Sequence, residues 1–351
     1  MLIAIHQQAE RFFRARYDDS WVPAYLEDRG FDASTQRTWQ AGYAPNDWRA
    51  LTRHLRALGF GDTAIEASGL ARRTARGMLV DFFRDRAMLP IKEPDGTTIA
   101  FIGRSHDGDP KYLNSPRTPL YTKGTALFGV HALTLNSTPV ITEGPLDSIA
   151  VTTASTGSLA GIAPCGTALT PDHVATLRAA TNLRKVLIAF DGDRAGNEAA
   201  IRAYTLFKHV CTADAVVFPA DQDPASVLRD AGPAALTQLL HSQTRPLADL
   251  VTDATIEPWL RSLQYAEGRL NALRSAGKAI ATMAPRDVAR QVARVAARLN
   301  FDHATVTETT TDSLTSRLAI GDFPLPPTIG GTTPTPSGRR RSERPPRGPT
   351  P

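Results

Sequence analysis

Three carboxylates carry the most specific chemistry in this sequence: Glu143, Asp191 and Asp193. Glu143 lies in Thr142-Glu143-Gly144-Pro145-Leu146-Asp147, and the two aspartates in Ala189-Phe190-Asp191-Gly192-Asp193-Arg194-Ala195-Gly196. Two positions apart at the end of an extended strand, Asp191 and Asp193 can face the same side. Acids that converge on a small volume repel one another, and a cation must neutralise them. Hard oxygen ligands on a loop suit Mg²⁺ or Mn²⁺, which keep waters and share substrate phosphates. Gly144 and Gly192 let a phosphate come close to the backbone. The chemistry implied is metal-assisted phosphoryl transfer. Taken singly, each motif also reads as a surface turn or a helix cap. The pair, each in the same context, is what points to a site.

That context is set by the flanking elements. The apolar runs Pro139-Val140-Ile141 and Val186-Leu187-Ile188-Ala189-Phe190 read as buried parallel strands, each followed by a helix-compatible segment. In an open α/β sheet, ligands bind at the carboxyl ends of the strands. Further strands are expected over 157–163 and 215–219, and a helix from Pro171 with Thr170 as its cap.

Upstream, residues 1–70 read as short helices, with a turn at Gly42-Tyr43-Ala44-Pro45 and with Trp39 and Trp48 as core residues. Residues 71–130 turn to strand character, with a hairpin at Asp95-Gly96. This region carries Arg84, Arg86, Arg104, Lys111 and Lys123, spaced singly among apolar residues and turns. Facing an acidic metal site, such cations can hold a phosphate backbone or a nucleoside triphosphate. Downstream, residues 236–305 read as helices. Arg286, Arg290, Arg294 and Arg298 form a row that reads as a solvated face rather than a nucleic-acid contact. Residues 306–321 show no clear pattern. Residues 322–351, rich in Pro, Gly, Thr and Arg, read as a disordered basic tail.

The formal charge of +5 over 351 residues fits nucleic-acid binding without demonstrating it. No apolar run is long enough to span a membrane, and the N-terminus lacks the marks of a signal peptide. Cys165 and Cys211 alone cannot build a zinc site, and a cytoplasmic location is expected.

The pair Glu-Gly-x-x-Asp and Asp-x-Asp-x-Ala-Gly resembles the TOPRIM domain shared by bacterial primases, topoisomerases and some nucleases. The run from Asp81 through Phe83-Arg84, Arg86, Met88 and Pro90-Ile91, then Gly103-Arg104, is similar to the catalytic RNA-polymerase domain of bacterial DnaG-type primases. Pro110-Lys111-Tyr112-Leu113-Asn114-Ser115-Pro116, with Lys123-Gly124 and Leu127-Phe128-Gly129, is the most specific part of that match. Gly42-Tyr43-Ala44-Pro45 resembles the same family's N-terminal subdomain.

The resemblance implies an architecture. An α+β primase subdomain over 1–130 precedes an α/β TOPRIM domain, Rossmann-like with a mostly parallel sheet, over 131–235. A helical subdomain over 236–305 and a linker with a disordered tail over 306–351 complete it. The activity implied is a DNA-directed RNA polymerase that makes short primers on single-stranded DNA from ribonucleoside triphosphates, with Mg²⁺ (or Mn²⁺) and no zinc. Glu143, Asp191 and Asp193 would be catalytic, with Asp147 and Asp223 as further metal positions. Arg104, Lys111, Asn114 and Lys123 would hold the nucleotide, and Arg84 and Arg86 the template DNA.

Departures from the family pattern matter. Its usual Asp-Pro-Asp is Asp223-Pro224-Ala225 here. One metal-ligand position is lost, and either Asp221 or water replaces it or catalysis is weakened. The sequence holds neither the zinc-ribbon module nor the helicase-binding module of the family. A separate zinc-binding initiation factor or a replicative helicase is the partner implied, and no membrane. Such a minimal core suits a plasmid, phage or integrated element. A TOPRIM nuclease and a catalytically weakened DNA-binding accessory protein are the alternative readings.

Overall fold

The computed structural model describes residues 1–191, 194–219 and 221–320, except the side chains of Arg194 and of 317–320. Asp193 and the tail from residue 321 lie outside the described residues. The chain opens with α1 (Leu2–Arg14), which buries Ile5, Ala9, Phe12 and Phe13 along one stripe. Short helices α2 (Val22–Glu27) and α3 (Ala33–Thr38) follow, the latter capped by Asp32, whose carboxylate accepts from Thr35 N at 2.7 Å. Gly42-Tyr43-Ala44 is a strand, β1, rather than the expected turn. A Cβ at Gly42 would lie 2.7 Å from Phe13 Cβ, so the glycine lets this strand pass directly under α1.

Helices α4 (Ala50–Ala57) and α5 (Asp62–Ala67) lead to a small hairpin, β2 (Ala71–Arg73) with β3 (Leu79–Asp81). Buried Asp81 accepts from Leu51 N and Thr52 N, both at 2.8 Å, and so fixes the start of α4 to that hairpin. Strands β4 (Arg86–Lys92), β5 (Thr98–Arg104) and β6 (Tyr112–Asn114) join β1 in the antiparallel order β1-β4-β5-β6. Pro90 is tolerated inside β4 because β1 reaches only Arg86 to Met88, which leaves that edge unpaired. Trp39 is buried as expected. Trp48 is 59% exposed instead, and the Arg84 guanidinium lies 4.0 Å from its ring centroid.

The second sheet is built from β7 (Leu127–Phe128), β8 (Thr138–Thr142), β9 (Leu159–Pro164), β10 (Lys185–Ala189), β11 (Thr212–Val216) and β12 (Thr244–Pro246). Its order is β12-β11-β10-β8-β9-β7. The four inner strands run parallel and the two edges antiparallel. Helices α6 (Pro145–Ala154), α7 (Pro171–Ala180), α8 (Arg194–Phe207) and α9 (Pro224–Ser242) connect the strands. Alternation along the strands divides the core: Val140 and Leu187 face α6 and α9, while Ile141 and Ile188 face α7 and α8. The first of these cores continues into the N-terminal region through Trp39, Leu89, Tyr121 and Phe128.

Four α-helices follow among the described residues: α10 (Leu247–Ile256), α11 (Ala266–Ile280), α12 (Pro285–Leu299) and α13 (His303–Ile320). Helix α13 occupies the stretch that showed no pattern. Its threonines point hydroxyls back to carbonyls four residues earlier, as Thr309 does to Thr305 O at 2.9 Å. The arginine row is not a solvated face. Arg290, Arg294 and Arg298 reach Asp249 and Asp253 on α10, and Arg286 donates to the carbonyls of Lys208 and Cys211. No helix among the described residues is long and apolar enough to cross a membrane.

Candidate active site

Strands β8 and β10 are neighbours at the middle of the second sheet, yet the chain leaves them in opposite directions. From β8 it passes through α6 to β9 on one side, and from β10 through α8 to β11 on the other. Their carboxyl ends border the crevice where an open α/β sheet binds its ligands. Glu143 follows β8 and Asp191 follows β10, and Asp191 N donates to Glu143 Oε1 at 3.1 Å. Two local devices hold these turns. Buried Thr142 Oγ1 bonds Ser148 Oγ at 2.7 Å across the first. At the second, a Cβ on Gly196 would lie 2.1 Å from Asp191 O, so only glycine lets α8 start there.

Two more acids reach the same space. Asp147 comes from the first turn of α6, and Asp223 is the N-cap of α9. A cavity of about 330 Å³ is lined by Glu143, Asp147, Asp191 and Asp223 together with Arg29, Lys111, Tyr112 and Asn114 from the N-terminal region. Burial pushes the Asp147 carboxyl up to about 7, with Asp223, Asp191 and Glu143 adding to the rise. The Ala225 N–H works against it, donating to Asp147 Oδ1 at 3.3 Å. Asp223 is engaged in its own capping box: its Oδ1 accepts from Ser226 N at 2.6 Å, and Ser226 Oγ accepts from Asp223 N at 2.9 Å. The Ala225 side chain is buried in the core. Where the family pattern has a second acid, this chain presents a methyl group inward and an amide to Asp147.

This donor set fits a hard divalent cation. Its ligands are carboxylate oxygens, and their mutual repulsion is what a cation would relieve. Among the described residues no three such groups are drawn into a ready-made cage.

The cations are arranged less simply than their spacing implied. Lys111 and Asn114 line the cavity, and the Asn114 Oδ1 has no protein partner. Arg104 stands behind them, 5% exposed, with its guanidinium 4.9 Å from the Tyr112 ring centroid and 5.6 Å from that of Tyr25. Its Nε and Nη1 find no acceptor. Lys123 is exposed and does not line the cavity. Its carbonyl accepts from His173 Nε2 at 2.9 Å, which ties its loop to α7. Arg84 and Arg86 lie off the cavity as well. Arg84 stacks on Trp48, while Arg86 is 8% exposed and donates to Gly103 O at 3.2 Å and Pro110 O at 2.9 Å. The structure adds residues to which sequence reasoning gave no role at the site: Arg29, Tyr112 and Gly166. Gly166, at φ +72°, leaves room for Asn114, whose Nδ2 would lie 2.7 Å from a Cβ there. Arg29 falls only within the short helices expected over residues 1–70. Tyr112 lies inside the run already read for Lys111 and Asn114.

Two family models match the chain: the N-terminal domain of the DNA primase catalytic core over residues 12–134, and a Toprim-like domain over 140–228. The DNA primase of Mycolicibacterium smegmatis is 34% identical over 290 residues, covering 78% of this chain and 45% of that protein. The chain thus spans a little under half the length of such curated relatives. Among solved structures, the RNA polymerase domain of Mycobacterium tuberculosis primase DnaG, in complex with a double-stranded DNA oligomer bearing a 6-nucleotide overhang, is 30% identical. It superposes with a TM-score of 0.72 over 86% of this chain and 98% of that one. A DNA primase domain from Pseudomonas aeruginosa gives 26% identity and a TM-score of 0.74 over 89% and 100% of the two chains.

Proposed function

The chain belongs to the family of DnaG-type primase catalytic cores, and from that premise we propose that it is a DNA-directed RNA polymerase that synthesises short primers on single-stranded DNA. The observation that supports this best is the shared cavity. Four acids from the sheet's carboxyl ends and two cations from the N-terminal region line one space. Nucleotidyl transfer needs both: carboxylates toward the reacting phosphate and cations toward the rest of the triphosphate.

Glu143, Asp191 and Asp193 act as the catalytic carboxylates, with Asp147 and Asp223 as further holders of Mg²⁺ or Mn²⁺. When bound, the metal activates the attacking hydroxyl and neutralises charge on the leaving pyrophosphate. The protein's own part is to orient. Lys111 and Asn114 hold the incoming ribonucleoside triphosphate. Arg29 supplies a second cation to the cavity. Arg104, pressed on Tyr112, stiffens the platform from behind, with its free donors as a second reach toward phosphate. Lys123 meets the nucleotide only if its loop closes over the cavity. Arg84 with Trp48 contacts template through charge and stacking, and Arg86 shapes that edge by bonding the backbone. The relative in complex with an overhang-bearing DNA oligomer supports DNA binding by this core. In the cytoplasm, a replicative helicase or a zinc-binding initiation factor would supply access to the template.

The test is primer synthesis on single-stranded DNA with labelled ribonucleotides and Mg²⁺ or Mn²⁺, comparing wild type with Asp191→Ala and Asp193→Ala. Short RNA lost in both variants is the expected result. Cleavage of the DNA without synthesis would move the chain to the nuclease reading. Intact DNA binding with neither activity would make it an accessory protein.

A further inference from the structure

Glu143 borders a second cavity. This one measures about 320 Å³, and its lining includes Glu143, Pro164, Phe190, Ala199, Arg202 and Leu206. Glu143 and Pro164 line both cavities, so one wall separates them. Their chemistry differs. The first holds lysine, arginine, asparagine and the acids. The second is walled mainly by aliphatic side chains and Phe190, with Thr142 and Thr167 among them, Arg202 exposed along it and Glu143 at the shared wall.

Joining two nucleotides requires a place for each. The acceptor's 3′ oxygen must approach the α-phosphorus on the side away from the departing pyrophosphate. The triphosphate belongs with the cations of the first cavity. The acceptor then comes from across Glu143, where an apolar cavity of a nucleoside's size is waiting.

We propose that the cavity between the 164–169 loop and α8 receives the base of the acceptor nucleotide, either the initiating nucleotide or the primer's 3′ end. Arg202 meets the phosphate on its 5′ side. Entry along the sugar edge keeps the pairing edge of the base toward the template. In the reaction the acceptor O3′ bonds to the α-phosphorus. The bond from that phosphorus to the bridging oxygen breaks, pyrophosphate leaves with the electron pair, and the O3′ proton passes to water. This inference rests on the polymerase reading above.

Ala199→Phe fills the cavity from a half-buried position on the surface of α8. Arg202→Ala, at an exposed position, removes the cation without crowding and so guards against misfolding. The first readout is photolabelling by 8-azidoadenosine 5′-monophosphate, which lacks a triphosphate. Label is expected on peptide 195–206 of the wild type, reduced about tenfold by Ala199→Phe and retained in Lys111→Ala. The second readout is extension of an RNA dinucleotide on a DNA template. Both α8 variants should raise KM for the dinucleotide, Ala199→Phe by about tenfold and Arg202→Ala by about threefold, with KM for the incoming nucleotide unchanged. Label confined to residues near 111–114, or synthesis that both variants leave untouched, would overturn the cavity's role while the polymerase reading stands. Label on 195–206 in a wild type that joins no nucleotides would overturn the polymerase reading and the acceptor role with it.

Discussion

Two clusters of carboxylates in this molecule have opposite fates. Between α10 and α12, Asp249 is 2% exposed and accepts from Arg290 at 2.9 Å and Gln291 at 2.7 Å, with Arg294 at 3.4 Å. Its neighbour Asp253 pairs with Arg245, Arg294 and Arg298. At the carboxyl ends of β8 and β10, backbone amides donate to the acids: Asp191 N to Glu143, Ala225 N to Asp147 and Ser226 N to Asp223. The first cluster carries its counter-charges as side chains fixed by the fold. The second crowds acids from separate elements around one cavity, and Asp147, pushed up to about 7 by burial and by Asp223, Asp191 and Glu143, records the cost. An acid satisfied inside the fold holds helices together. An acid crowded by other acids at the mouth of a cavity is available for chemistry.

The comparison can be broken most sharply at Asp191. Asp191→Asn should reduce primer synthesis about 100-fold or more, on the scale of losing one preorganised charge at a reacting centre. Its denaturation midpoint should change far less than that, because the charge removed also repels Asp147. A fall in stability matching the fall in activity would erase the distinction between the clusters. The converse change is Asp249→Ala, which strands three donors in a nearly closed space. It should cost about 2 kcal/mol, below the range for a fully buried pair because Arg290 remains solvated. Urea titration reads that loss, and synthesis per folded molecule should match the wild type.

Both clusters were partly legible in the sequence, and for different reasons. Apolar runs placed β8 and β10 within a residue of their observed ends, which fixed Glu143 and Asp191 at the crevice. The arginine row was visible too, but not its purpose. Its partners Asp249 and Asp253 lie some forty residues away, and no local pattern pairs two helix faces. Arg29 and Gly166 were missed for the same reason: each is tied to Lys111 or Asn114 only through the fold. Strand β11 begins at Thr212, three residues before the expected Ala215. Lys185 on β10 draws Asp214 into the ladder with an ion pair at 2.8 Å, a pairing that hydrophobicity does not register. Asp193 and the basic tail, both legible as sequence, lie outside the described residues.

A third test acts on the acidic crevice without mutation. In the metal-free protein, Asp147 holds its proton up to about 7, against 3.8 as the ordinary value. The folded state therefore binds more protons than the unfolded chain between those limits, and stability falls as pH rises through them. Chelated protein should lose roughly 1 to 2 kcal/mol between pH 4.5 and pH 7.5, and Asp147→Asn should flatten that slope. Millimolar Mg²⁺ at the upper pH should restore about 1 kcal/mol by binding the folded state alone. The same increment should appear in Asp249→Ala and vanish in Asp191→Asn. A metal increment insensitive to Asp191 would place the ion elsewhere.

The smallest effect is expected at the rim of the arginine cluster, and it separates a shared network from a sum of pairs. The Arg290 side chain is 55% exposed, whereas the Asp249 side chain is 3% exposed. Truncating Arg290 removes one solvated donor but leaves Asp249 with Gln291 at 2.7 Å and Arg294 at 3.4 Å. Arg290→Ala should therefore cost only about 0.5 kcal/mol, as a surface ion pair does. Gln291→Leu, at a fully buried position, should cost more than that, because it removes a donor that water cannot replace. If Arg290→Ala proved the costlier of the two in paired urea titrations, charge rather than enclosure would govern this cluster.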